Sequence, residues 1–226
     1  MANNLPDTDI SQELEFLEGQ GEEYTSTAQV VRKLQECWLN ETFAPELLPY
    51  QEGIVDCLLD QLNHMEENLR AVKRSDFRSV IHRMELDRLQ YVLTSYLKVR
   101  LEKVEKQAAF LQRQMEANED TDYLSPEEKQ YVRAYVASIE DYLRAAALVH
   151  MPRNQQTLRL STLGRGPCLD NPVFLRAERN VTGLLVEEGT GDGRDSEIVD
   201  LDKGSQYLLT YRSVAPYVRN GSVLLM

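Results

Sequence analysis

The sequence predicts an α+β chain: an N-terminal, mostly antiparallel helical bundle followed by a small β-rich domain. Three observations predict it. Apolar residues recur three and four apart through four segments between residues 25 and 150. Composition shifts after Pro152, where Gly164, Gly166, Pro167 and Pro172 break up the chain. Beyond them come short runs rich in Val, Leu, Ile and Tyr, separated by turn residues. The implied divisions are an acidic mobile tail over 1–24, a helical domain over 25–152, a linker over 153–172 and a β-rich domain over 173–226.

The tail holds seven acidic residues and no Lys or Arg, too little apolar surface for it to order itself. Thr25, Ser26 and Thr27 offer N-caps to a first helix, whose apolar face is Val30 or Val31, Leu34 and Trp38. Pro45 and Pro49 mark the turn that follows. A second helix sets Ile54, Leu58, Leu62, Met65 and Leu69 on one stripe. A third starts near Ser75 and runs to about Glu116 without Pro or Gly. Such a helix is roughly 60 Å long, whereas a compact domain of this size is roughly 40 Å across. Its middle, Tyr91 to Leu101, is apolar on more than one face, which calls for burial on several sides. That points to a partner chain, with an elongated monomeric bundle as the alternative. Residues 117–124 read as a loop. The fourth helix opens with Ser125-Pro126-Glu127-Glu128, an N-cap, a first-position proline and a capping box. Tyr131, Tyr135, Ile139, Tyr142 and Ala146 form its expected buried stripe, and it ends near His150-Met151-Pro152.

The predicted strands lie at 173–176, 183–187, 198–201, 207–211 and 223–226, with a hairpin loop at Gly189–Gly193 and a brief helical turn at Val214–Val218. A β unit of this size lacks a sufficient core of its own and shows no disulfide or metal staple. It is expected to dock on its own helices or on another subunit. The apolar stretch Val223–Met226 is expected to be tied down for the same reason.

A formal net charge of -12 argues against non-specific nucleic-acid binding. The best basic group, Arg70, Lys73, Arg74 and Arg78, is flanked by Glu66, Glu67 and Asp76, and reads as a solvated or partner-facing helix surface before a DNA site. Cys37, Cys57 and Cys168 form no CxxC pair and read as free thiols. His64, His82 and His150 have no second ligand at metal spacing. The chain has no phosphate loop, no HExxH and no GxSxG, and no helix follows the glycines at 189, 191 and 193. No catalytic, cofactor-binding or metal residue is assigned, and the chain reads as a non-enzyme. The longest apolar runs are too short to span a bilayer. The acidic start is unlike a secretory signal, so the three Asn-x-Ser/Thr triplets read as chance matches.

Several segments, taken in order, carry a resemblance. They are Phe43-Ala-Pro-Glu-Leu-Leu48, His64-Met-Glu-Glu-Asn-Leu69, Arg88-Leu-Gln-Tyr-Val-Leu-Thr-Ser-Tyr-Leu97, Leu124-Ser-Pro-Glu-Glu128 and His150-Met-Pro152. Val173-Phe-Leu-Arg176, Val199-Asp-Leu-Asp-Lys-Gly-Ser-Gln206 and Tyr211-Arg-Ser-Val-Ala-Pro216 follow. Over roughly 27–106 and 124–226 the chain resembles the GINS family, in its fourth, Sld-five type. The resemblance implies a nuclear, non-catalytic subunit of a heterotetramer with three other GINS subunits. It implies that this assembly joins the Mcm ring and its RecJ-like cofactor in the active replicative DNA helicase, at initiation and at the replication fork. Trp38, Phe43, Tyr91, Tyr96 and Tyr211 are the candidate anchors, either at subunit interfaces or in the chain's own core. The tail around Asp9, Ile10 and Leu14 is similar to the peptide with which fungal members bind the trimeric polymerase alpha adaptor; an inert solvated tail is the alternative. A generic helical scaffold with a β-rich peptide-binding module, unrelated to replication, is the competing reading.

Overall fold

The computed structural model describes residues 27–71, 77–117, 121–187 and 196–226. The acidic tail with Asp9, Ile10 and Leu14, the caps Thr25 and Ser26, the basic Lys73 and Arg74, and the glycine-rich loop lie outside the described residues. The chain divides into two compact units. One takes the chain as far as Trp38 together with Gln51–Ser95; the other takes Leu39–Tyr50 with Tyr96–Met226.

The first unit is helical. It holds most of α1 (Thr27–Phe43), all of α2 (Glu52–Ala71) and the first half of α3 (Phe77–Glu116). Helix α2 places Glu52 in its first turn and Arg70 in its last, each complementing the backbone dipole. Val30 and Leu34 of α1, Ile54, Val55, Leu58 and Leu62 of α2, and Leu86, Leu89, Val92 and Leu93 of α3 are buried. Forty residues without Pro or Gly let α3 run unbroken from one unit into the other.

In the second unit, the rest of α3 shares a core with α4 (Pro126–Ala146). Leu47, Val104, Ala108, Leu111, Leu124, Val132 and Val136 fill it. The capping box is formed: Ser125 Oγ accepts the Glu128 N–H at 3.1 Å, and Glu128 Oε2 accepts the Ser125 N–H at 3.0 Å. The stripe expected on α4 is displaced by one residue. Its buried side chains are Glu128, Val132 and Val136, Tyr135 is half-buried, and Tyr131 and Tyr142 are exposed. A tyrosine is apolar in body and polar at its tip, so it suits the border of a buried face better than its centre. Tyr131 stacks on Tyr135 and donates its hydroxyl to Glu105 at the water's edge.

Short 3-10 turns at Leu148–His150, Arg153–Gln155 and Leu160–Thr162 lead to the sheets. Strand β1 (Pro172–Ala177) is central between β4 (Gln206–Thr210) and β5 (Val223–Leu225), antiparallel to both. Strands β2 (Val181–Glu187) and β3 (Ser196–Leu201) pair as a separate antiparallel ribbon. Its bulge between Val181 and Leu184 is formed by Gly183 at φ 76, a conformation that suits glycine. The expected turn near Val214 is a nine-residue helix, α5 (Tyr211–Arg219), because Tyr211, Val214 and Val218 bury one face of it. The sheet core takes Val173, Leu175 and Ala177 from β1, Leu184 and Leu201 from the ribbon, Val223 and Leu225 from β5, and Ala44 and Leu48 from the helical part of the chain.

Candidate interaction surfaces

Helix α3 has two unlike faces in the first unit. Leu86, Leu89, Val92 and Leu93 are buried. Phe77, Val80, Ile81, Met84 and Tyr91 are 75, 49, 51, 67 and 65% exposed. At 3.6 residues per turn these five fall within a sector of about 100°. Arg88 shares that sector and is held by Glu85, with Nε at 3.0 Å and Nη2 at 2.6 Å. The Arg88 hydrogen bonds draw the Glu85 carboxyl below its ordinary range. Single exposed apolar residues are ordinary, whereas five that share one helix face, interrupted only by the Arg88–Glu85 pair, make the kind of surface that other chains cover.

A second, buried arrangement fixes residues 40–50. Arg100 has no solvent exposure. Its Nε and Nη2 donate to the two carboxylate oxygens of Glu128 at 2.8 and 2.9 Å. Nη1 reaches Glu41 at 3.2 Å and the Leu48 carbonyl at 2.7 Å, and Nη2 also reaches the Tyr123 carbonyl at 3.1 Å. The five N–H groups of a guanidinium are thereby all matched. Lys103 Nζ donates to Glu41 and to the Glu46 carbonyl, both at 2.8 Å, and Gln107 donates to the Pro45 carbonyl at 3.0 Å. Arg100, Lys103 and Gln107 are spaced three and four apart, so one side of α3 grips three carbonyls of the turn. Burial pushes the Glu41 carboxyl up, against the pull of Lys103 and Arg100. Burial pushes Lys103 down, against Glu41. Burial also opposes the Arg100 charge, but the Glu128 hydrogen bonds lead a set of neighbours that outweigh it and raise its pKa.

The same turn holds the C-terminal elements. Glu46 accepts the Tyr211 hydroxyl at 2.7 Å and Arg219 Nη2 at 2.9 Å on both oxygens. Asn40 Oδ1 accepts the Leu225 N–H at 2.8 Å. Burial, then Glu46, raises the Tyr211 pKa. Outward on the sheets lie two cross-strand apolar pairs, Phe174 opposite Leu208 and Leu185 opposite Ile198. All four side chains are more than half exposed.

The sequence-named aromatics are distributed between these settings. Trp38 is half-buried and meets the exposed Tyr91 edge-on, with centroids 6.5 Å apart. Phe43 is 45% exposed, while Tyr96 and Tyr211 are buried, Tyr96 with its ring beside Arg100. Of the basic group, Arg70 pairs with Glu66 at 3.5 Å and Arg78 is exposed. Sequence reasoning names Tyr91 but passes over Phe77, Val80, Ile81 and Met84, although their spacing of three and four was the available signal. Among the described residues, no group of three or more His, Cys, Asp or Glu could hold a metal ion, and no helix is long and apolar enough to cross a membrane.

Comparison with known proteins agrees with this architecture. Residues 56–147 match the family model described as the GINS complex protein helical bundle domain. Residues 167–226 match the model for the DNA replication complex GINS protein SLD5 C-terminus. The chain is 42% identical to the human DNA replication complex GINS protein SLD5, over 96% of this chain and all of that protein. It is 31% identical to the Schizosaccharomyces pombe protein, over 84% of this chain and 88% of the relative. The Arabidopsis thaliana protein is 29% identical over 87% of this chain and 90% of its own length. With both parts of the chain matched in order and the human relative covered end to end, this chain belongs to the Sld5 family of GINS proteins.

Proposed function

We propose that this chain is a non-catalytic structural subunit of a nuclear GINS heterotetramer, which joins the Mcm ring and its RecJ-like cofactor to form the active replicative helicase. The observation that carries the reading is the exposed stripe Phe77, Val80, Ile81, Met84 and Tyr91. Packing it under a sister helix would contribute on the order of 1–2 kcal/mol for each side chain covered. In this reading residues 25–152 are the helical domain and 173–226 the β-rich domain, joined by the linker 153–172. The subunit acts by geometry. The assembled tetramer binds one arrangement of ring and cofactor and shifts the population toward it. Nucleotide hydrolysis belongs to the ring.

Co-expression with and without the other three GINS subunits, followed by native mass measurement, tests this. The expected outcome is a one-to-one-to-one-to-one assembly. A stable monomer that ignores those subunits would leave a generic scaffold as the better account. Within the same reading, the tail around Asp9, Ile10 and Leu14 docks as a helix in a groove of the trimeric polymerase alpha adaptor. Alanine at Ile10 and Leu14 is expected to abolish that binding, and unchanged affinity would remove the tail from the mechanism.

A further inference from the structure

From Tyr142 to Leu169 the chain carries four arginines and not one Asp or Glu, although the whole protein has 37 acidic residues against 25 basic ones. The structure shows where this charge sits. After α4 the chain folds back as a strap. Leu148 and Ser161 are buried, and the Leu160 N–H donates to Glu140 of α4 at 2.8 Å. Gly164 lies against the backbone of Ala109 and Phe110 in α3. Anchored in this way, the strap leaves Arg153, Arg159 and Arg165 exposed, and none forms an ion pair among the described residues. Arg144 differs, being held by Asp141 at 2.6 Å. The acids bordering the strap are already engaged: Glu140 by Leu160, Asp141 by Arg144, and Asp170 by Arg212 at 2.8 Å. In the same stretch of chain Tyr142, Val149, Met151 and Leu163 are 70, 62, 44 and 63% exposed.

We propose that this strap is a docking surface for an acidic, apolar-anchored segment of a partner protein. Arginine is the cation best shaped to grip a carboxylate through two parallel hydrogen bonds. Exposed aliphatic side chains beside it supply anchors for apolar residues of the same segment. A nucleic acid fits less well, because the chain's net charge of -12 repels phosphate. The surface is distinct from the stripe on α3, so the proposal does not depend on how that stripe is covered.

The test uses the purified full chain in the oligomeric state that native mass assigns to it. The probe is a fluorescein-labelled peptide of repeated Glu-Leu-Asp-Glu-Phe units. One control replaces its Leu and Phe by Ser; the other is a labelled oligo-dT strand. The first peptide is expected to bind in a salt-sensitive manner. The combined Arg153→Glu, Arg159→Glu and Arg165→Glu variant should weaken that binding about tenfold or more. A second variant, Val149→Ser with Leu163→Ser, should weaken it while leaving the salt dependence in place. All five substituted side chains are exposed, so thermal unfolding should not move. The proposal is overturned if the arginine variant binds the peptide as tightly as the parent, if the Ser-substituted peptide binds equally well, or if oligo-dT binds more tightly than either.

Discussion

With its side chain fully out of water, Arg100 stays charged because Glu41, Glu128 and two carbonyls take up its donors. Removing one partner of such a cluster costs more than the cluster ever contributed, since the remaining charges stay buried without compensation. Arg100→Met should therefore lower unfolding free energy by about 3–5 kcal/mol, read from urea titration. A loss below about 1 kcal/mol would mean that water enters the site. Tyr211 gives a second test, with a defined pH signature. Tyr211→Phe deletes the hydroxyl bond to the Glu46 carboxylate and should cost about 1.5–3 kcal/mol at neutral pH. The Tyr211 pKa is raised in the folded chain, from an ordinary value of 10.0. Folding therefore favours the neutral phenol. That contribution is fully present below pH 10 and is lost as pH rises through it, because the unfolded chain ionises first. The gap between parent and variant should narrow above pH 10. A gap constant with pH would show that Tyr211 ionises equally in both states.

At the level of elements, the strap after α4 depends on a glycine contact. A Cβ at Gly164 would press on the Phe110 nitrogen and on Ala109, with the Ala109 oxygen 2.7 Å away. These are backbone atoms of α3 and have little freedom to yield. Gly164→Ala should destabilise by on the order of 1–3 kcal/mol in thermal unfolding. Gly166→Ala meets only the movable Phe110 ring, at 3.2 Å, and should cost clearly less. Equal costs would place the strap elsewhere. Elements were also what the sequence revealed best. Ser125-Pro126-Glu127-Glu128 announces its own helix start, because a capping box is local chemistry. The second role of Glu128, as the partner of Arg100, was not legible. Its reason lies 28 residues away in the chain, and a charged residue inside a helical pattern reads as solvent-facing. Glu41 and Lys103 were hidden for the same reason. The α4 stripe was misplaced because tyrosine counts as apolar in a periodicity and behaves as a border residue in a fold.

For the whole molecule, the governing question is which apolar surface is left for other chains. Ile81→Glu with Met84→Glu places charge on exposed positions. It should leave the chain's own unfolding within about 0.5 kcal/mol and abolish co-purification with the sister subunits. Retained assembly would move the interface to another surface, such as the Phe174–Leu208 and Leu185–Ile198 pairs. The sequence reading expected a partner from the length of α3 and from apolar residues near its middle. It did not single out the exposed face, because periodicity shows that a helix has two faces and tertiary structure decides which one is already occupied.

The turn around Glu46 also sets an order of events during synthesis. Asn40 and Glu46 are made early, yet their partners Tyr211, Arg219 and Leu225 lie 165, 173 and 185 residues later. Contacts that distant in sequence close slowly and late. A nascent chain can complete α1 and α2 while still on the ribosome, but it holds an unclosed turn, with the Glu46 carboxylate waiting, until Tyr211, Arg219 and Leu225 have emerged. Through that interval Ala44 and Leu48 of the turn lack the strand side chains that later share their core, and chaperone binding or co-translational capture by another chain has its opportunity.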